Sequence, residues 1–109
     1  MDFDTYQANA AKTAIYPTIY HRVIYPTLGL AGEVGELVNK LKKVFRDNNG
    51  NFTDNIKEQI KAELGDVLWY LSEIANVLGI SLSDIAKTNL DKLNDRLNRG
   101  QIHGTGDSR

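Results

Sequence analysis

Apolar residues recur at helical spacing along most of the chain, and almost no segment alternates with the two-residue period of a β-strand. Residues 46–51 (RDNNGN) have the composition of a turn, and Ser81 begins a capping box for the last helix. Short connections between long helices favour an all-α, four-helix up-and-down bundle. The pattern predicts helices within residues 1–14, 26–45, 54–78 and 82–98.

The segments outside the helices are short. Residues 15–25 are aromatic and β-branched and include Pro17, which predicts an irregular connection. Residues 99–109 are polar and rich in glycine, which predicts a tail. No repeat and no second domain is evident, so residues 1–109 are predicted to form one domain with its core helices in residues 26–98.

Composition excludes several classes of protein. Thirteen basic and fourteen acidic side chains give a net charge of -1, so we expect no bulk attraction to nucleic acid or to an anionic membrane. There is no cysteine, which excludes disulfides, thiolate zinc sites and cysteine nucleophiles. No secretory signal and no apolar run long enough to span a membrane is evident, so a cytoplasmic protein is expected.

Two predicted helices each carry a pair of carboxylates beside the apolar stripe. Glu33 and Glu36 lie three residues apart in LAGEVGELVNK, and Glu63 and Asp66 repeat that spacing in the next helix. If these flanks face each other, four like charges converge and need a compensating cation. Oxygen ligands favour Mg²⁺ or Mn²⁺. The alternative of two exposed acidic pairs neutralised by neighbouring lysines stays open.

Three glycines accompany the first acidic pair, although each costs a helix interior about 0.5–1 kcal/mol relative to alanine. Gly29 and Gly32 fall on the flank that carries Glu33, where they would leave space for a metal, water and phosphate. Gly35 lies away from that flank, and close helix packing is the only role that the pattern suggests for it.

The last predicted helix carries a row of hydrogen-bond donors. Asn89 falls inside its apolar stripe, and Lys92 and Arg96 follow along the edge of that stripe. Donors at i, i+3 and i+7 suit the oxygens of a phosphate group. An asparagine bonded to a neighbouring carbonyl, with two basic side chains extending to solvent, explains the same pattern.

The paired acidic motif resembles a known family. Glu33-x-x-Glu36 followed by Glu63-x-x-Asp66, in the contexts LGLAGEVGEL and ELGDVLWYL, closely resembles the all-α nucleoside triphosphate pyrophosphohydrolases of the MazG-like group. The similarity also includes AAKTAIYP near the start, TNLDKLNDR at residues 88–96 and the tail RGQIHGTGDSR.

The resemblance implies hydrolysis of an NTP or dNTP between the α- and β-phosphates, giving a nucleoside monophosphate and pyrophosphate. One glutamate would also position or deprotonate the attacking water. The implied Mg²⁺ ligands are Glu33, Glu36, Glu63 and Asp66, and the implied substrate contacts are Asn89, Lys92, Arg96 and Tyr70. The family is usually dimeric or tetrameric, so a homodimer or homotetramer is expected. Trp69 points away from the apolar stripe of its helix, which indicates a partner surface or a stacked base, and the subunit interface is the favoured interpretation.

Other interpretations fit less well. A di-iron bundle needs Glu-x-x-His pairs, whereas His21 and His103 lie outside the predicted helices. A calcium loop beginning at Asp47 would have Phe52 where the sharp turn needs glycine. The remaining alternative is a helical module that binds a metal or a nucleotide without catalysis.

Overall fold

The computed structural model of the chain describes residues 1–109 and contains four α-helices and no β-strand. The helices are α1 (Phe3–Ala11), α2 (Ile24–Asp47), α3 (Asp54–Val77) and α4 (Leu82–Asn98). This confirms the predicted all-α class and the order of the helices. None of them is both long and apolar enough to cross a membrane.

Side-chain caps start three of the helices. Asp2 accepts a hydrogen bond from the Thr5 amide, Thr53 accepts one from Ile56, and Ser81 accepts one from Asp84. Each cap satisfies an amide that has no partner within its helix. The predicted cap at Ser81 is therefore confirmed.

The second helix begins at Ile24, two residues before the predicted start at Pro26. Pro26 is the third residue of α2 and is fully buried. Amides in the first turn of a helix have no intrahelical acceptor, so a proline there removes no hydrogen bond. The first turn of α2 therefore brings Tyr25 into the helix, which matters for the site described below.

Two long helices, α2 and α3, form an antiparallel hairpin through a turn that ends at Gly50, which has a φ of 74°. Helix α1 packs on α3, and α4 has its main contact with α1. Gln7 joins these elements, because its side chain donates to the Ile80 carbonyl (2.9 Å) and accepts from the Leu82 amide (2.7 Å). The hairpin is thus the scaffold, and α4 is attached to it through α1.

A single chain buries little apolar surface. Only 8 of its 109 residues are buried, although the helical stripes predict a larger core. Val38 on α2, Leu64 on α3 and Leu97 on α4 remain 58%, 50% and 62% exposed. Exposed apolar faces of this extent are typical of protein–protein contact surfaces.

Candidate active site

The α2–α3 hairpin brings three of the predicted carboxylates together. Glu33, Glu63 and Asp66 each place an oxygen within 4.8 Å of the others. Ligands on opposite sides of one Mg²⁺ lie about 4.2 Å apart, since each Mg–O distance is about 2.1 Å. The donor set, which contains only carboxylate oxygens, and its spacing therefore fit a hard divalent cation after a small inward movement. We call these three residues the acidic group.

Charge repulsion within the acidic group is visible at Glu33. Burial raises the pKa of the Glu33 carboxyl, and the nearby charges of Asp66, Glu63 and Glu36 raise it further. Lys40 supplies partial compensation, with its Nζ 3.4 Å from Glu63 Oε1. One lysine cannot balance three converging carboxylates, so the geometry favours an additional cation.

Glu36 is not part of this group in the structure. Its side chain is exposed, and its oxygens lie outside the 4.8 Å set. It lies one turn after Glu33 on α2 and still contributes to the raised pKa of the Glu33 carboxyl. The structure therefore places Glu36 beside the acidic group and not in it.

The glycines of α2 have different environments. A Cβ built on Gly29 would lie 2.1 Å from Cε1 of Tyr70, far inside any allowed contact. Gly32 has nothing within 4 Å, which agrees with an unobstructed flank. Gly35 also has nothing within 4 Å, so the suggestion of close helix packing is wrong within one chain. Only Gly29 is required by a contact, because Tyr70 packs directly against its backbone.

The donor row of α4 is separate from the acidic group within one chain. Asn89 and Lys92 line another open cavity, of 380 Å³, together with Ile80, Asp84, Ile85 and Thr88. No residue of α4 lines the cavity beside Glu33 and Asp66. The predicted metal ligands and the predicted phosphate ligands are therefore not brought together by this fold alone.

The basic members of that row hold an anion from the chain itself. Lys92 Nζ lies 2.8 Å from Asp107 Oδ1, and Arg96 Nη2 lies 3.0 Å from the same oxygen and also donates to the Asp107 carbonyl. These contacts lower the pKa of the Asp107 carboxyl. Arg96 is only 4% exposed, and its Nε has no hydrogen-bond partner. The predicted tail thus folds back and contacts α4.

An aromatic cavity of 390 Å³ opens directly beside the acidic group. Tyr70, which was predicted from the resemblance to contact the nucleotide, lies in the wall of this cavity. Burial, with the nearby Tyr25, Glu33 and Asp66, raises the pKa of the Tyr70 hydroxyl, so it stays protonated and able to donate. The residues that line the cavity are Ile15, Tyr16, Tyr25, Glu33, Asp66, Trp69 and Tyr70.

Tyr16 and Tyr25 were not predicted as site residues. A signal for them was present, because the tetrapeptide Ile-Tyr-Pro-Thr occurs at residues 15–18 and again at residues 24–27. The expectation of a chain without repeats is therefore wrong for this short segment. Trp69, which was expected at a subunit interface, also lines this cavity, and its indole donates to Thr13 Oγ1 of its own chain (2.7 Å).

Comparison with known proteins supports the class that the fold and the acidic group define. The family model of the MazG nucleotide pyrophosphohydrolase domain matches residues 26–100, so the chain belongs to the MazG family. It is also similar to the Gene 37 protein of Mycobacterium phage L5, with 45% identity over 114 aligned positions that span the whole of both chains. No solved structure matches the chain. The family assignment made from the paired acidic motif is confirmed.

Proposed function

We propose that the protein is a Mg²⁺-dependent pyrophosphohydrolase that converts an NTP or dNTP and water into the monophosphate and pyrophosphate. Water adds across the anhydride between the α- and β-phosphates: its oxygen bonds to one of these two phosphorus atoms as the bond from that atom to the bridging oxygen breaks. The observation that carries the proposal is the convergence of Glu33, Glu63 and Asp66 within 4.8 Å in a MazG-family chain.

The acidic group would hold the metal, with Glu36 as a fourth ligand. A bound Mg²⁺ would polarise the phosphoryl oxygens and lower the pKa of a coordinated water. Glu36 is exposed and one turn from Glu33, so a side-chain rotation alone could bring its carboxylate towards the group. Mn²⁺ has similar ligand preferences and is the expected substitute.

Asn89, Lys92 and Arg96 are proposed to bind the triphosphate. The carboxylate of Asp107, which Lys92 and Arg96 hold in the structure, is a chemical stand-in for a phosphate oxygen: both are anionic acceptors of charge-assisted hydrogen bonds. The buried, unpartnered Nε of Arg96 is a further donor that an anion could use. Tyr70 is proposed to contact the nucleotide from the other side, beside the acidic group.

A homodimer or homotetramer would complete the site. The donor row and the acidic group are separate within one chain, and both the α2–α3 hairpin and α4 expose apolar residues. A second copy with two-fold symmetry would cover both faces reciprocally, since each chain offers the surface that its partner needs. The donor row of one chain could then approach the acidic group of the other.

The direct test of the activity is pyrophosphate release from a panel of NTPs and dNTPs, with Mg²⁺ and with EDTA. We expect release only with the metal. Lys92→Ala should raise KM by about ten- to a hundredfold with little change in kcat, because a charge-assisted hydrogen bond to phosphate contributes about 1.5–3 kcal/mol to binding.

Lys87→Ala is the matched control, because Lys87 is an exposed lysine of the same helix that pairs only with Asp91. No turnover of any triphosphate, together with nucleotide and metal binding that survives, would instead assign the chain to the non-catalytic binding modules. Equal KM values for wild type and Lys92→Ala would remove Lys92 from the site.

The oligomer is tested by light scattering after gel filtration, where the expected mass is two or four times 12.2 kDa. Val38→Asp and Leu90→Asp should shift the protein towards the monomer, because each places a charge on an exposed apolar face. Asn55→Asp, an exposed position in the first turn of α3, is the control and should leave the mass unchanged.

Sharing of the site between subunits is tested by refolding Glu63→Gln and Lys92→Ala chains together. The rate is measured at a substrate concentration well below the wild-type KM, where the raised KM of Lys92→Ala makes that variant slow. If the two residues act from different chains, mixed dimers have one intact site and this rate returns to about a quarter of the wild-type value. Activity that stays at the level of the two separate variants would place both residues of each site in one chain.

A further inference from the structure

The aromatic cavity is continuous with the acidic group, because Glu33 and Asp66 line both. Its remaining five residues are apolar or aromatic, which suits neither a metal nor a phosphate. We propose that this cavity binds the nucleobase of the substrate, with Tyr16 and Tyr25 of the duplicated Ile-Tyr-Pro-Thr segment and Trp69 as its specificity-determining wall. The inference rests on the proposed function and deepens it.

The chemistry of the wall matches a planar heterocycle. Aromatic side chains stack on any nucleobase, and such stacking is worth about 1–3 kcal/mol per base. A volume of 390 Å³ lies within the range of small-molecule sites. The hydroxyls of Tyr25 and Tyr70 make no hydrogen bond within the chain, so they remain available to the edge of a base. A triphosphate alone would have no use for these groups.

The cavity wall is built from two aromatic pairs. Tyr16 and Tyr25 are stacked, with ring centroids 5.0 Å apart and an interplanar angle of 5°. Trp69 and Tyr70 meet edge to face, with centroids 5.0 Å apart. The Trp69 indole is held by its bond to Thr13, and Tyr70 is held against Gly29. Because these contacts order the rings before any ligand binds, less conformational entropy is lost on binding.

A buried carboxylate outside the acidic group fastens one side of the wall. Glu73 is 4% exposed and accepts a hydrogen bond from the Tyr16 hydroxyl (2.5 Å). Asn76 Nδ2 lies 3.4 Å from the other Glu73 oxygen, and Arg22 lies 3.9 Å from the first. The Arg22 guanidinium also lies 4.8 Å from the Tyr16 ring centroid.

A buried carboxylate is costly unless it is paired and hydrogen-bonded. Here the pairing connects α3 to the segment that carries Tyr16. Burial, the hydrogen bond to Glu73 and the Glu73 charge raise the pKa of the Tyr16 hydroxyl, so it remains a donor. Glu73 is therefore a positioning residue, which acts on the substrate only through Tyr16.

Trp69 is the single tryptophan of the chain, and its fluorescence can report occupancy without turnover. The probes are the reaction products, a panel of nucleoside monophosphates with Mg²⁺, compared with ribose 5-phosphate and inorganic pyrophosphate. We expect saturable quenching by monophosphates that carry a base and none by the two probes without one. Equal quenching by ribose 5-phosphate, or none by any monophosphate, would overturn the proposal.

Substitutions distinguish binding of the nucleobase from binding of the phosphates. Tyr25→Leu should weaken monophosphate binding and lower kcat/KM by about tenfold, the value expected for one lost stacking contact. Inhibition by inorganic pyrophosphate should not change, because that product has no base. Tyr20→Leu is the control, since Tyr20 lies in the connection just before α2 and is fully exposed. A Tyr25→Leu enzyme with wild-type kcat/KM would overturn the proposal.

The positioning role of Glu73 is tested by the separate effects of substitutions on KM and kcat. Tyr16→Phe keeps the ring but removes the donor, and Glu73→Ala removes the acceptor; each should raise KM with kcat nearly unchanged. Glu73→Gln should restore a KM close to wild type, because its amide oxygen can accept the same bond. A loss of kcat without a change in KM would contradict the role.

Loss of the hydrolase activity and loss of the base site give different results. If no triphosphate releases pyrophosphate but monophosphates quench Trp69, the hydrolase proposal fails and the base site stands. If pyrophosphate is released and the Tyr25 and Tyr16 variants match wild type, only the base site fails.

Discussion

Replacing Glu63 with glutamine is expected to lower kcat by about a thousandfold while the protein remains folded. The loss follows from removing one ligand of the proposed metal, which supplies several kcal/mol of stabilisation to the transition state. Folding should survive because the substitution also relieves repulsion from Glu33 and Asp66, which raises the pKa of the Glu33 carboxyl in the wild type. The lost ion pair with Lys40 offsets part of that gain.

The measurements are pyrophosphate release and thermal unfolding, each with and without Mg²⁺. The ion should stabilise the wild type by about 2.7 kcal/mol at a hundredfold excess over its Kd, and it should have little effect on Glu63→Gln. Glu58→Gln is the matched control, since Glu58 is an exposed glutamate of the same helix that pairs only with Lys61. Loss of the thermal transition in Glu63→Gln, or turnover equal to that of the control, would contradict the assignment.

Gly29→Ala is expected to destabilise the protein by about 1–3 kcal/mol, the usual cost of overpacking. Alanine at an ordinary helical position would be worth about 0.5–1 kcal/mol more than glycine, but here its Cβ would lie 2.1 Å from Cε1 and 2.4 Å from Cζ of Tyr70. The ring must move, and the cavity wall moves with it. Chemical denaturation measures the loss of stability. The displacement of the cavity wall should also raise KM for the nucleotide.

Two comparisons isolate that contact. Gly35→Ala should stabilise by about 0.5–1 kcal/mol, because a Cβ there meets no atom within 4 Å. In a Tyr70→Ala background, Gly29→Ala should lose its cost and behave like Gly35→Ala, since the atoms that it meets are gone. Equal stability of Gly29→Ala and Gly35→Ala in the wild-type background would show that Tyr70 does not require glycine at this position.

Local sequence patterns were sufficient to predict most of the helix boundaries in this chain. The helix boundaries were predicted to within about two residues at most ends, because caps, turns and apolar spacing are local signals. The end of α1 is the exception, because the pattern extended this helix to residue 14 whereas it ends at Ala11. The i, i+3 carboxylates were found for the same reason, since helical spacing alone places them on one flank.

Contacts between segments could not be obtained in that way. Helical spacing treats Glu33 and Glu36 as equivalent, but only Glu33 meets Glu63 and Asp66 in the structure. The extent of the exposed surface was also missed, because a stripe of apolar residues does not say whether its partner is in the same chain. Val38 and Leu97 belong to such stripes and are exposed.

The sequence by itself determined the all-α class, the family and the carboxylates from which a metal site can be built, because each depends on residue type and near spacing. The tertiary structure alone decided that Tyr70 needs Gly29, that Asp107 meets Lys92 and Arg96, and that the Tyr16 hydroxyl reaches Glu73 across 57 positions of sequence. Such contacts arise from how helices pack and how a connection folds over them, and no periodicity along the chain encodes them.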